Sequence, residues 1–107
     1  MSRNGFTREE IERAAQACGV TVQLDREPGR DEPYGRQGWM RAGGILSEVC
    51  PETGERLYDL EATAEALSRM EDELLYDGYL GAMEDARNAL RAIEKLQAAL
   101  EREAREA

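Results

Sequence analysis

The sequence predicts an α+β fold: an N-terminal helix, a small antiparallel sheet of three to four strands, and a C-terminal αα-hairpin. Three observations predict it. Residues 7–18, TREEIERAAQAC, join a helix-capping pattern to helical apolar spacing. Residues 45–60 set two strand-like segments around Pro51-Glu52-Thr53-Gly54, a turn sequence. Beyond Leu60 two apolar stripes follow each other out of phase, as one straight helix could not present them to a single core.

Taken in order, Thr7 and Glu10 have the spacing of a capping box, and Ile11, Ala14, Ala15 and Cys18 share one helical face before Gly19, a good left-handed stop. The stripe is thin, so the helix must lie against something larger. Val20-Thr21-Val22-Gln23-Leu24 alternates and is rich in β-branched residues, which predicts a strand with Val20, Val22 and Leu24 inward. Residues 25–38, DREPGRDEPYGRQG, carry two prolines and three glycines and have no apolar face, so they predict a long surface loop. Ile45–Cys50 and Arg56–Leu60 then form a hairpin, with Pro51 and Gly54 in the turn positions that favour them, and Trp39-Met40-Arg41 adds a further strand segment ahead of a Gly43-Gly44 bend.

The helical hairpin follows from arithmetic. Leu60, Ala64, Leu67, Met70 and Leu74 share one face; Met83, Ala86, Leu90, Ile93 and Leu100 share another. Nine residues separate Leu74 from Met83, and at about 100° each the second stripe falls half a turn away from the first. Gly78 and Gly81 would also cost a continuous helix ~1 kcal/mol each relative to alanine. A break near residues 76–79 removes both problems and lets the stripes face each other, with Leu75, Tyr76, Tyr79 and Leu80 expected to pack around the corner. The length of 107 residues suits a single domain, residues 1–60 supplying helix and sheet and 61–107 the helical hairpin.

Composition narrows the chemistry. There is no histidine, which removes the commonest general base near neutral pH and the commonest zinc ligand. Cys18 and Cys50, with no histidine beside them, do not make a zinc site; without a signal-like apolar segment at the N-terminus they are expected to be reduced thiols in a cytoplasmic protein. No run of residues is apolar enough for a membrane span. No Walker-type or dinucleotide-binding glycine motif occurs. The stretch MEDELLYDGYLGAMED, residues 70–85, fails as a calcium loop, because Leu74 and Tyr76 stand where side-chain oxygen ligands are required. Paired carboxylates such as Glu71/Asp72 and Glu84/Asp85 have the residue type for acid–base work but no partner group. The expectation is a protein that is not an enzyme and needs no metal or other cofactor.

What remains is charge. The net charge is −9, and residues 48–85 hold twelve acids against two arginines, a local balance of −10, so the remainder of the chain is close to neutral. A field concentrated in this way repels phosphate and attracts basic partners. Glu52, Glu55, Glu61, Glu65, Glu71, Asp72, Asp77, Glu84 and Asp85 are therefore the candidate partner-binding residues, and a basic surface, such as that of a nucleic-acid-binding protein complex, is the candidate partner. In size and charge the chain is similar to small acidic inhibitors from phages and mobile elements, including those that block CRISPR effector complexes, which implies an inhibitor or adaptor that mimics nucleic acid. On the last helix, Met83, Leu90, Ile93 and Leu100 form a stripe long enough to pair two chains as a homodimer.

A second resemblance points elsewhere. FTREEIERAAQACGV, then GWMRAGGIL, then TGERLYDLEATAEALSRM resemble the order of elements in DNA-binding domains of the MerR and excisionase type, and Thr53-Gly54-Glu55-Arg56-Leu57-Tyr58-Asp59 matches the exit of their hairpin wing. That likeness implies a DNA-binding regulator, whose second helix should follow Gly19-Val20; here a Pro/Gly-rich segment follows instead. The matching wing and helix fall in the acidic segment, whereas Arg26, Arg30, Arg36 and Arg41 supply a minor basic group on the loop.

Overall fold

The computed structural model describes residues 5–25 and 35–106 and shows a mixed fold, mostly helical, with a two-stranded antiparallel sheet. Helix α1 is Arg8–Cys18, α2 is Gly35–Arg41, strand β1 is Ser47–Val49, β2 is Arg56–Tyr58, α3 is Leu60–Tyr76 and α4 is Leu80–Glu106.

Helix α1 begins as its sequence requires. The Glu10 amide donates to Thr7 Oγ1 at 3.2 Å, and the Thr7 amide donates to Glu10 Oε1 at 3.0 Å, so two amides that the first helical turn would strand are satisfied reciprocally. Gly19 ends the helix at φ 72°, in the left-handed region that a Cβ disfavours. Ile11, Ala14 and Ala15 are buried. Arg8 forms ion pairs with Glu12 and Asp25, which ties the start of α1 to the segment that leaves its end.

The sheet is smaller than the sequence predicts. Its register pairs Ser47 with Tyr58, Glu48 with Leu57 and Val49 with Arg56. The turn closes through the Cys50 amide to Glu55 O at 2.8 Å and the Gly54 amide to Cys50 O at 2.8 Å, with Gly54 at φ 72°. Beyond this pair, the described residues form only two single bridges, and of the expected further strands 20–24 contributes one of them. Phe6 exchanges two hydrogen bonds with Tyr58, at 2.9 and 2.7 Å, and pairing stops there because Thr7 already caps α1. In the 20–24 segment only Gln23 bridges, to Gly44 in parallel, although Val20, Val22 and Leu24 do turn toward the core as their alternation predicts.

Residues 39–41 are the larger correction. Trp39, Met40 and Arg41 end helix α2 and are not a strand. Burial of two consecutive large residues, Trp39 and Met40, against α3 and α4 overrides the weak helix propensity of a glycine-rich segment. Gly44 is required beneath that indole, because an added Cβ would lie 2.2 Å from Trp39 Cδ2 and Cε2. The predicted 25–38 loop is thereby shortened at its end by α2; residues 26–34, with Arg26 and Arg30, lie outside the described residues.

The αα-hairpin stands as expected. Asp59 caps α3 by accepting from the Ala62 amide at 2.9 Å. Leu60, Leu67, Met70 and Leu74 from α3 join Met83, Ala86, Ile93, Leu96 and Leu100 from α4 in one core, closed from the other side by Ile11 of α1 and Met40 of α2. The corner reverses over Asp77, Gly78 and Tyr79: Gly78 takes φ 81°, its amide donates to Leu75 O at 3.1 Å, and the Tyr79 amide donates to Leu74 O at 2.9 Å. No described helix is long and apolar enough to cross a membrane.

Candidate functional site

The candidate partner-binding acids fall on three places. Glu52 and Glu55 are exposed in the β1–β2 turn. Glu61, Glu65 and Asp72 are exposed along α3, and with Tyr76 they fall within about 60° of one another around the helix axis, with Arg69 at the edge of the row. Asp77, Glu84 and Asp85 are exposed at and just after the corner. Neither strand packs along α3 or α4, so the turn acids and the corner acids lie at opposite ends of a helix about 25 Å long, connected by the α3 row. The arrangement is a band along the molecule and not one compact patch.

Glu71 stands apart from that row. Its carboxylate accepts from Arg87 Nε at 2.8 Å, bridging α3 to α4, and it is only partly exposed. Its sequence neighbour Asp72 points about 100° away around the helix, so the two do not act as a carboxylate pair. The same holds for Glu84 and Asp85, which are both exposed. Among the described residues no group of three potential ligand side chains could hold a metal ion.

The four residues expected to pair two chains are placed differently. Met83, Ile93 and Leu100 are at least nine-tenths buried within the chain, against its own helices, and Leu90 is half-buried at the edge of the core. The stripe is occupied by intrachain packing, which leaves little of it for a second copy.

Two features were missed. The first is a groove of about 460 Å³ at the open end of the helical hairpin, lined by Phe6, Asp59, Leu60, Gln97 and the carboxylates Glu48, Glu61 and Glu101. The Asp59 carboxylate is engaged as the α3 cap. Glu48, Glu61 and Glu101 come from β1, α3 and α4, so their convergence could be found only from the fold. The second feature is the corner. Leu75, Tyr76, Tyr79 and Leu80 do not pack around it; they are 51%, 93%, 64% and 58% exposed. Here a signal was present, because Leu75 and Tyr76 lie about 100° and 200° from Leu74 around the helix, off the core-facing stripe.

Two side chains elsewhere have unusual surroundings. Hydrogen bonding from the Thr53 side chain, then from the amides of Thr53 and Glu52, holds the Cys50 thiol below its ordinary range. The Trp39 indole N–H is buried and makes no hydrogen bond. Cys18 and Cys50 are both free thiols. No protein-family model, curated protein or solved structure matches this chain.

Proposed function

We propose that this chain is a small acidic protein-binding module, an inhibitor or adaptor that docks its negative band on a basic surface of a nucleic-acid-binding protein. The observation that carries the reading is the exposed row Glu61, Glu65 and Asp72 on the solvent face of α3. Aligned carboxylates of one sign steer a basic partner during encounter and, once docked, exclude the phosphates it would otherwise hold. The reading is non-enzymatic and places the protein in the cytoplasm, where its two thiols stay reduced.

A DNA-binding reading of the MerR or excisionase type finds less support. Residues 20–25, where a second helix should follow α1, are not helical, and the hairpin that would be the wing carries Glu48, Glu52 and Glu55. DNA affinity comes from cations facing phosphate.

Affinity capture from nuclease-treated native lysate tests the proposal, comparing wild type with the quadruple variant Glu61→Lys, Glu65→Lys, Asp72→Lys, Asp77→Lys. All four positions are exposed, so circular dichroism should be unchanged. The expected result is capture of basic proteins by wild type, weakened by salt and lost in the variant. Equal capture by both proteins would remove the proposal.

A further inference from the structure

We propose that the α3–α4 corner is the anchor of this docking interface, and that Tyr76 and Tyr79, flanked by Leu75 and Leu80, insert into an apolar pocket ringed by Lys and Arg on the partner protein. The inference rests on the acidic-module reading above and adds to it the site that supplies residence time.

The corner is the largest concentration of exposed large apolar side chains among the described residues; apart from its four, only Val49 is exposed to a similar degree. Contiguous exposed apolar groups rimmed by polar ones mark interaction sites. Tyrosine suits such a site because it presents a large rigid surface and a hydroxyl with few rotatable bonds. The backbone beneath is already fixed. Gly78 holds its left-handed turn, two amide-to-carbonyl bonds close the end of α3, and Leu74 and Met83 are buried just inside the corner. A preformed knuckle loses little conformational freedom on docking. Cβ atoms built at Gly78 and Gly81 meet nothing within 4 Å, so a partner can approach the backbone closely on this side.

Charge selects the occupant. Residues 70–86 contain six acids and no base, and Asp72, Asp77, Glu84 and Asp85 are exposed around the knuckle. A second copy of the chain would bring the same charges together. Nucleic acid and anionic lipid would be repelled. A basic protein surface with an apolar cleft satisfies both the knuckle and its rim.

The test uses the full chain and two synthetic 18-residue peptides. One is an amphipathic Leu/Lys helix; the other carries the same lysines with every leucine replaced by serine. Titration calorimetry at two salt concentrations compares wild type, the double variant Tyr76→Ser, Tyr79→Ser, and the charge variant Glu65→Lys, Asp72→Lys. Wild type is expected to bind the Leu/Lys peptide at least tenfold more tightly than the Ser/Lys peptide. The tyrosine variant should lose that preference and keep the weaker, salt-sensitive binding of both peptides; the charge variant should weaken both. Retention of the tenfold preference by the tyrosine variant would overturn the anchor and leave the charge reading standing. Salt-insensitive binding, or none, by wild type would overturn the charge reading and the anchor with it. Sedimentation as a dimer that the tyrosine substitutions dissolve would assign the corner to a second copy, and loss on those substitutions of flotation with phosphatidylcholine vesicles would assign it to lipid; either result overturns the proposal. Leu80→Ser, on the other helix of the corner, serves as an independent variant should the double substitution disturb folding.

Discussion

Replacing Thr63 with valine removes two hydrogen bonds from the joint between the β-hairpin and α3 while keeping the shape of the side chain. Thr63 is fully buried. Its hydroxyl donates to Asp59 O at 2.7 Å and accepts from the Leu46 amide at 3.0 Å, while Leu46 O accepts from the Asp59 amide at 2.8 Å. The backbone of Leu46 is thus held from both sides by the first turn of α3. In the valine variant Asp59 O keeps the bond from the residue 63 amide, which is 3.1 Å in wild type, but the Leu46 amide has lost its acceptor. Stranding a buried donor costs about 1–3 kcal/mol, and the added methyl returns up to about 0.8 kcal/mol. The net expectation is a loss of about 1–2 kcal/mol, or a Tm lower by about 4–8 °C for a domain of this size. Serine at the same position keeps both bonds and loses only a methyl, costing about 1 kcal/mol. Thermal melts alone separate these variants poorly, so hydrogen exchange at Leu46 is the deciding assay. Valine should accelerate exchange at Leu46 by about tenfold, the equivalent of roughly 1.4 kcal/mol, beyond any change at its neighbours; serine should not. If the valine variant melts with wild type and Leu46 stays protected, the hydroxyl does not clamp the hairpin. The outcome bears on function because this joint sets Glu48 against Glu61 across the groove.

Gly44→Ala should be among the more damaging single substitutions in the chain. The new methyl would overlap the ring of Trp39, which is nearly buried and has no room to retreat, at a cost of about 1–3 kcal/mol or more. Trp39 is the sole tryptophan, so its fluorescence reports the displacement directly; an unchanged emission maximum and Tm would contradict the packing. At Cys50 the lowered thiol pKa means that thiolate forms at lower pH than for an ordinary cysteine. The midpoint of its alkylation rate against pH should therefore lie below that of an unperturbed cysteine and rise in Thr53→Val, and a midpoint indifferent to that substitution would remove the Thr53 hydrogen bond as the cause.

The parts of the fold legible in the sequence are those written in local chemistry. The Thr7–Glu10 capping box, the stop at Gly19, the turn at residues 51–54 and the phase break between Leu74 and Met83 each depend on residues close in the chain, and the structure has all four. The failures share a cause too. Whether Val20–Leu24 becomes a strand depends on a neighbour with free backbone groups along its length, and Gly43-Gly44 offers only one bridge before the chain turns away. Residues 39–41 read as extended because nothing local favours helix; what makes them helical is the core that receives Trp39 and Met40, built by α3 and α4, which begin about twenty residues later and beyond.

The candidate site divides along the same line. Exposed carboxylates are predictable from residue type, and the row on α3 from helical period, because acidic side chains rarely lie buried without a partner. The pairing of Glu71 with Arg87, across sixteen residues, is not predictable in that way, and it engages one of the expected docking groups within the chain. The corner departs from expectation for the opposite reason: residue type assigns Leu75, Tyr76, Tyr79 and Leu80 to packing, whereas the helical phase of Leu75 and Tyr76 turns them away from the core and all four are exposed. Where type and phase disagree, phase is the stronger guide, since burial requires a neighbour in the right direction and hydrophobicity does not supply one. Apolar residues that the phase leaves outside the core, in a stretch that also repels its own copies, are those a basic partner would cover.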